Sequence, residues 1–126
     1  IADAGMQSRC TFTAGNFFEG VNIQADCYVM KMILHDWNDE QSEQILFNLY
    51  KAMPTGSKLL IVESVIDESN APHAGKFMDI NMLAMTGGRE RTANEWKTML
   101  QKSGLNFIGI TPTHAPVFNV IESVKG

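Results

Sequence analysis

Cysteine and histidine are scarce in this sequence, and their scarcity excludes several kinds of metal-binding and secreted protein. The 126 residues include two cysteines and three histidines. Cys10 and Cys27 lack the paired spacing of a structural zinc site, and a disulfide-stapled secreted domain contains more cysteines than this. We therefore expect both thiols to be reduced and partly buried, and the sequence predicts no metal site.

An excess of basic residues is also absent, as is any long apolar run. Ten lysines and arginines against fourteen aspartates and glutamates give a formal net charge of −4. A nucleic-acid or anionic-membrane partner requires a basic face, so the charge argues against both. No run approaches the roughly 20 apolar residues that cross a bilayer, and residues 1–5 form no signal peptide. We expect a cytoplasmic protein that begins upstream of Ile1.

Composition and periodicity instead predict a single globular α/β domain. Hydrophobic residues make up 44% of the chain and charged residues 19%, which is ordinary for a folded domain. The pattern predicts strands at residues 9–14, 25–34, 58–65, 105–111 and 117–124. It predicts helices from Asn38 to Met53, over 76–85, and from Thr92 to Ser103. This order indicates a sheet that is parallel first and antiparallel at its end.

The clearest candidate for chemistry is a histidine that follows the second predicted strand. His35 lies where ligands bind in α/β proteins, and its side chain titrates near neutral pH. A histidine that acts as a base needs a partner, such as a carboxylate, that fixes its tautomer and stabilises the imidazolium it forms. Glu63 is one candidate, because it ends the next strand and parallel strands end on the same edge. Glu90, after a pair of glycines, is a second. The alternative is that each residue is a solvated side chain in a turn.

Other distinctive side chains have two interpretations each. Lys31, within an apolar strand, is either an edge residue with its ammonium in water or a cation beside a ligand. Trp37 either stacks on a ligand or joins the core, and the core is the commoner position. The methionines in 78–85 are expected to fill the core. His73 and His114 are expected at the surface.

Four segments, taken in order, resemble the C-terminal catalytic half of the S-adenosylmethionine-dependent O-methyltransferases of the caffeate and hydroxyneurosporene type. They are residues 15–18 (Gly-Asn-Phe-Phe), 31–37 (Lys-Met-Ile-Leu-His-Asp-Trp), 61–63 (Ile-Val-Glu) and 87–92 (Gly-Gly-Arg-Glu-Arg-Thr). The resemblance covers almost the whole chain. Its specificity comes from the second and fourth segments together.

The resemblance implies a Rossmann-like class I methyltransferase sheet, mostly parallel with an antiparallel last strand. It also implies roles for individual residues. His35 matches the general base of the family, and Glu63 and Glu90 match the two glutamates that frame it. Asp36 and Met82 match positions that line the acceptor pocket. No metal is required in the implied reaction.

The resemblance assigns three further residues to the S-adenosylmethionine site: Asn16, Phe17 and Lys31. Asn16 departs from the family, which has an aspartate there. An asparagine carbonyl can still accept a hydrogen bond from the adenine amine. Because the charge is lost, we expect weaker cofactor binding.

The resemblance places further family features upstream of Ile1: the glycine-rich cofactor loop, two central strands and an N-terminal helical dimerisation domain. Residues 1–126 are then expected to be a partial catalytic domain of a homodimer. The expected reaction is methyl transfer to a hydroxyl of a small metabolite, most simply a phenol. Two alternatives stay open. One is an enzyme of the same fold with another reaction, such as hydroxylation or decarboxylation. The other is a non-catalytic remnant.

Overall fold

The computed structural model describes residues 4–67, 69, 72, 74–115 and 117–126. The strands are β1 (Cys27–Lys31), β2 (Lys58–Ile66), β3 (Arg91–Thr92), β4 (Leu105–Pro112) and β5 (Phe118–Lys125). The helices are α1 (Asp39–Ala52), α2 (Ala74–Met85) and α3 (Ala93–Lys102). A single 3₁₀ turn, Leu34–Asp36, joins β1 to α1. We call residues 33–37 the His35 turn.

The sheet has the order β1-β2-β5-β4, with β3 paired to the far end of β2. β1 runs parallel to β2, with Cys27 opposite Lys58. β5 runs antiparallel to both of its neighbours, β2 and β4. The predicted α/β sheet with an antiparallel end is therefore confirmed.

Two capping boxes fix where α1 and α3 begin, at the Asn38 and Thr92 that the sequence predicts as helix starts. The Asn38 side chain accepts from the backbone N–H of Gln41, at 2.9 Å, and Gln41 accepts in return from the Asn38 N–H. Thr92 and Glu95 make the same reciprocal pair at the start of α3. These bonds satisfy N–H groups that the first turn of a helix leaves without partners.

The core lies where α1 and α3 pack against the sheet. Its fully buried members include Leu46, Leu59, Ile61, Trp96, Leu100 and Ile121. Side chains alternate between the two faces of a strand, so Glu63 points to the same face of β2 as Leu59 and Ile61. A carboxylate is thereby placed at the margin of an apolar core, where it must find hydrogen-bonding partners.

Several local predictions are wrong. Residues 9–14 form no strand, and Phe12 is 84% exposed there, so the segment has no apolar packing to hold it in a sheet. The second strand is shorter than expected, because the chain leaves the sheet after Lys31. Glu63 does not end its strand, since β2 continues to Ile66. Cys10 and Cys27 are exposed rather than partly buried.

α2 also differs from the expected core helix. Its exposed apolar side chains include Phe77, Ile80, Leu83 and Met85. His114 is exposed, as expected, and the prediction for His73 lies outside the described residues. Among the described residues, no helix combines the length and the apolar character that a membrane crossing requires.

Candidate active site

The His35 turn begins with a backbone conformation that redirects the chain out of β1. Met32 has a φ of 54°, which makes it the one described non-glycine residue in the left-handed region. Such a conformation costs on the order of 1–3 kcal/mol and is found preferentially at functional sites. The chain therefore turns immediately after its last ladder hydrogen bond, from Met32 N–H to the carbonyl of Val62.

Glu63 holds this turn through its backbone. One carboxylate oxygen, Oε1, accepts from the N–H groups of Ile33 at 2.9 Å, Leu34 at 3.0 Å and His35 at 3.4 Å. The side chain is fully buried, and burial raises the pKa of Glu63, with the nearby Glu90 acting in the same direction. The hydrogen bonds and His35 act against that rise. A carboxylate that collects successive N–H groups fixes their direction, and here the group so fixed carries His35.

The imidazole of His35 is buried between two carboxylates. Its Nδ1 lies 2.9 Å from Glu90 Oε1 and 3.6 Å from Glu63 Oε2, and only 3% of the residue is exposed. The hydrogen bond to Glu90 raises the pKa of His35 above 6.5, and the charges of Glu63, Glu90 and Asp36 add to it against the opposing effect of burial. With Nδ1–H donating to Glu90, Nε2 is the nitrogen that can accept a proton.

The segment before β3 closes over the turn at a glycine. A Cβ on Gly88 would lie 1.9 Å from the carbonyl oxygen of His35 and 2.6 Å from the carbonyl carbon of Asp36. The next residue, Arg89, donates its backbone N–H to the His35 carbonyl at 2.9 Å. Only glycine fits this approach. The sequence predicts a helix that ends at residue 85, before the two glycines, but not this contact, for which the doubled glycine beside Arg89 was the available signal.

His35, Glu63 and Glu90 also have the donor atoms of a metal site, all within 4.8 Å of one another. Two of the carboxylate oxygens, Glu63 Oε2 and Glu90 Oε2, are buried without a hydrogen bond. Two other donors are engaged: Nδ1 of His35 with Glu90, and Glu63 Oε1 with three N–H groups. The cluster fits a hydrogen-bonded acid–base group, and the prediction that no metal binds stays a prediction.

The residues expected at the cofactor lie along clefts that His35 does not line. Asn48 donates to the carbonyls of Phe17 and Phe18, and the Phe18 ring meets Trp37 edge-on with 4.8 Å between centroids. Phe17 and Lys31 line one cleft. Asn16 lines an adjoining pocket that Phe17 shares, and its Oδ1 accepts from the Phe18 N–H. The structure thus gathers the three residues along neighbouring clefts.

The two residues expected at the acceptor are placed differently. Asp36 is half-buried, and its Oδ1 lies 3.5 Å from His35 Nε2, the nitrogen that faces away from Glu90. Met82 lies half-buried within α2, where its carbonyl accepts the N–H groups of Thr86 and Gly87. Asp36 is therefore next to the candidate base, and the position of Met82 at an acceptor stays a prediction.

Comparison with known sequences finds O-methyltransferases that match most of the chain. A family model described as the O-methyltransferase domain matches residues 1–106. Phenazine O-methyltransferase PhzM of Lysobacter antibioticus is 42% identical over 123 residues, which are 98% of this chain and 36% of that protein. The chain spans about a third of the length of the curated relatives it matches.

Solved structures share the fold. The crystal structure of LaPhzM superposes with a TM-score of 0.93 at 40% identity, covering 99% of this chain and 37% of that one. A second structure is NcsB1 from neocarzinostatin biosynthesis, in complex with S-adenosyl-L-homocysteine and 1,4-dihydroxy-2-naphthoic acid. Its TM-score is 0.86 at 30% identity, and the match covers 99% of this chain and 37% of that one. A protein described as a pericyclic reaction enzyme has a TM-score of 0.80 at 29% identity, and the match covers 89% of this chain and 29% of that one. The predicted Rossmann-like class I fold is confirmed.

Proposed function

This chain belongs to the O-methyltransferase domain family, and from that membership we propose that residues 1–126 form part of the catalytic domain of an S-adenosylmethionine-dependent O-methyltransferase. The resemblance expected from the sequence is thus confirmed at the level of the family. The acceptor we propose is a hydroxyl, most simply a phenol, on a small metabolite. One observation carries the mechanism: the buried imidazole of His35 makes a hydrogen bond to Glu90 through Nδ1, while Nε2 faces away from Glu90, on the side of Asp36.

The reaction needs a base because the acceptor is protonated. A phenol has a pKa of about 10, so few molecules are ionised at neutral pH. When bound, S-adenosylmethionine supplies the activated methyl group. His35 Nε2 takes the phenolic proton as the new O–CH₃ bond forms and the S–CH₃ bond breaks. Such base catalysis is worth typically ~10²–10⁴-fold, and further acceleration comes from holding the reacting atoms in line.

The two glutamates have different tasks in this proposal. Glu90 contacts the imidazole at 2.9 Å, so it selects the tautomer and stabilises the imidazolium. Glu63 lies further from the ring, at 3.6 Å, and is committed to the backbone of the turn. The sequence favoured Glu63 as the partner of His35, whereas these distances favour Glu90.

The proposal also includes a cofactor site and an acceptor site. We place S-adenosylmethionine along the clefts that Asn16, Phe17 and Lys31 line, and the acceptor beside Asp36 and Met82. The S-adenosyl-L-homocysteine and dihydroxynaphthoic acid bound in NcsB1 support this pair of ligand classes. A homodimer of the whole protein belongs to the same proposal.

The raised pKa of His35 predicts the pH dependence of the reaction. The base must be neutral to accept a proton, so kcat/KM falls as the pH drops through the pKa of His35, at a midpoint above 6.5. In Glu90→Gln the charge that stabilises the imidazolium is lost, and the midpoint moves to lower pH. The measurement is a pH profile of kcat/KM for both proteins.

Glu122→Gln is the control for this profile, because Glu122 is a carboxylate paired with Lys58 on the opposite end of the sheet. Its profile is expected to match the wild type. A Glu90→Gln profile with the wild-type midpoint would show that Glu90 does not set the basicity of His35.

Chelation tests the expectation that the cluster acts without a metal. Protein treated with EDTA and then freed of it is expected to keep its rate of methyl transfer, since Nδ1 is already engaged by Glu90. Loss of activity that Zn²⁺ or Mn²⁺ restores would mean that His35, Glu63 and Glu90 form a metal site. Metal analysis of the untreated protein gives the occupancy directly.

A second function is favoured by one comparison. An enzyme of another reaction class, a pericyclic reaction enzyme, has the same fold at 29% identity. Transfer of a radiolabelled methyl group from S-adenosylmethionine to a panel of phenols separates the two. Labelled product supports methyl transfer. Tight cofactor binding without labelled product across the panel would favour the other class.

A further inference from the structure

Arg91 is a buried cation whose contacts converge on the His35 turn. None of its side chain is exposed to solvent. Nη1 donates to the carbonyl of Leu34 at 3.0 Å, and Nη2 donates to the carbonyl of Trp37 at 3.0 Å. Its charge is balanced by Asp39, which accepts from Nε at 3.0 Å. A buried arginine normally pairs with an acid, but the terminal nitrogens of Arg91 also donate to backbone carbonyls: those of Leu34 and Trp37 and, at 3.4 Å, that of Arg89.

The backbone of the turn has further hydrogen-bonding partners besides Arg91. Glu63 accepts from the N–H groups of residues 33–35, and the Arg89 N–H donates to the carbonyl of His35. The carbonyls of Leu34 and Trp37 instead accept from Arg91. Ser42 assists, because its hydroxyl contacts the same two carbonyls and accepts from Arg91 at 3.1 Å. The N–H groups of the turn are thus held by an anion, Glu63, and two of its carbonyls by a cation, Arg91.

We propose that Arg91 is a positioning residue that holds His35 in register with Glu90, an inference that rests on the proposed role of His35 as the base. The planar guanidinium reaches both carbonyls at once, and Trp96 lies below it with its ring 5.3 Å away. A lysine keeps the charge but has no fork to span two acceptors. Without that span the two carbonyls keep only longer hydrogen bonds, such as those from the Ser42 hydroxyl at 3.2 and 3.4 Å, and the turn relaxes.

The test is Arg91→Lys in the intact protein, with two readouts. Because a misplacement of about 1 Å can cost on the order of 10²-fold, we expect kcat to fall by roughly 10- to 100-fold while KM for S-adenosylmethionine changes little. NMR titration of His35 gives the second readout. The groups that face its ring are Glu63 from β2, Glu90 from the segment before β3, and Asp36 from its own turn. If the ring leaves Glu90, the pKa falls towards 6.5.

Lys102→Gln is the matched control. Lys102, like Arg91, makes an ion pair with an acid of α1, in this case Glu43, but the pair is solvent-exposed. We expect wild-type kcat and a wild-type His35 titration for this variant. If Arg91→Lys fails to fold, Ser42→Ala takes its place, because it removes a smaller contact to the same carbonyls.

The outcomes separate the two proposals. A folded Arg91→Lys protein with unchanged kcat and unchanged His35 titration overturns the positioning role, as does the same result for Ser42→Ala. A shifted titration in Arg91→Lys supports the positioning role even if His35 proves dispensable. Full activity of a His35 variant would then remove the proposed base and leave the structural role of Arg91 standing.

Discussion

Replacing His35 with alanine is expected to lower the rate of methyl transfer by about 10²–10⁴-fold, the usual contribution of a positioned general base. The affinity for S-adenosylmethionine is expected to stay near the wild-type value. The reason is spatial: Nδ1 of His35 contacts Glu90, and His35 does not line the cleft that Phe17 and Lys31 line. Turnover with a phenol and calorimetry with the cofactor measure the two effects separately.

His114→Ala provides the control for this result, because His114 is an exposed histidine far along the chain in the connection between β4 and β5. It is expected to leave both rate and affinity unchanged. Near wild-type turnover in His35→Ala would remove the base from the proposal. A loss of cofactor affinity as large as the loss of rate would assign His35 to binding instead.

Replacing Gly88 with alanine is expected to have the second-largest effect. The new Cβ would overlap backbone atoms, the His35 carbonyl oxygen at 1.9 Å and the Asp36 carbonyl carbon at 2.6 Å, and these atoms cannot rotate away as a side chain can. The segment must move off the turn, which stretches the hydrogen bond from the Arg89 N–H and carries Glu90 with it. We expect a stability loss of about 1–3 kcal/mol from overpacking.

The same displacement is expected to lower kcat, by on the order of 10²-fold for a shift of about 1 Å. Gly109→Ala is the control, since nothing lies within 4 Å of a Cβ there and its φ is not in the left-handed region. Thermal unfolding and turnover are measured on both variants. A Gly88→Ala protein as stable and active as Gly109→Ala would mean that the segment and the turn are not in close contact.

The sequence predicts most of the fold because the signals are local. Capping pairs at Asn38 and Thr92 mark two helix starts, and a continuous apolar run marks β2. The failures come where tertiary structure decides. Residues 9–14 have strand-like composition but gain no packing, and β1 ends early because Met32 takes a left-handed φ that its own side chain does not favour.

The site was predictable as a set of residues but not as an arrangement. Strand order brings His35 and Glu63 to one edge, which periodicity suggests. The hydrogen bond from His35 to Glu90 depends on how residues 87–91 fold back, which no spacing encodes. Charged residues are usually exposed, so the sequence gives no reason to bury Arg91, and its pairing with Asp39 is seen only in the structure. Its burial against backbone carbonyls could be seen only in three dimensions.

The central claim, that His35 removes the acceptor proton, is tested most directly by varying the acidity of the acceptor. Single-turnover methyl transfer is compared between wild type and His35→Ala for phenols whose pKa values range from about 10 to below the assay pH. We predict that the rate ratio is large for the weakly acidic phenols and approaches unity for those already ionised. A ratio that stays constant across the series would contradict the claim.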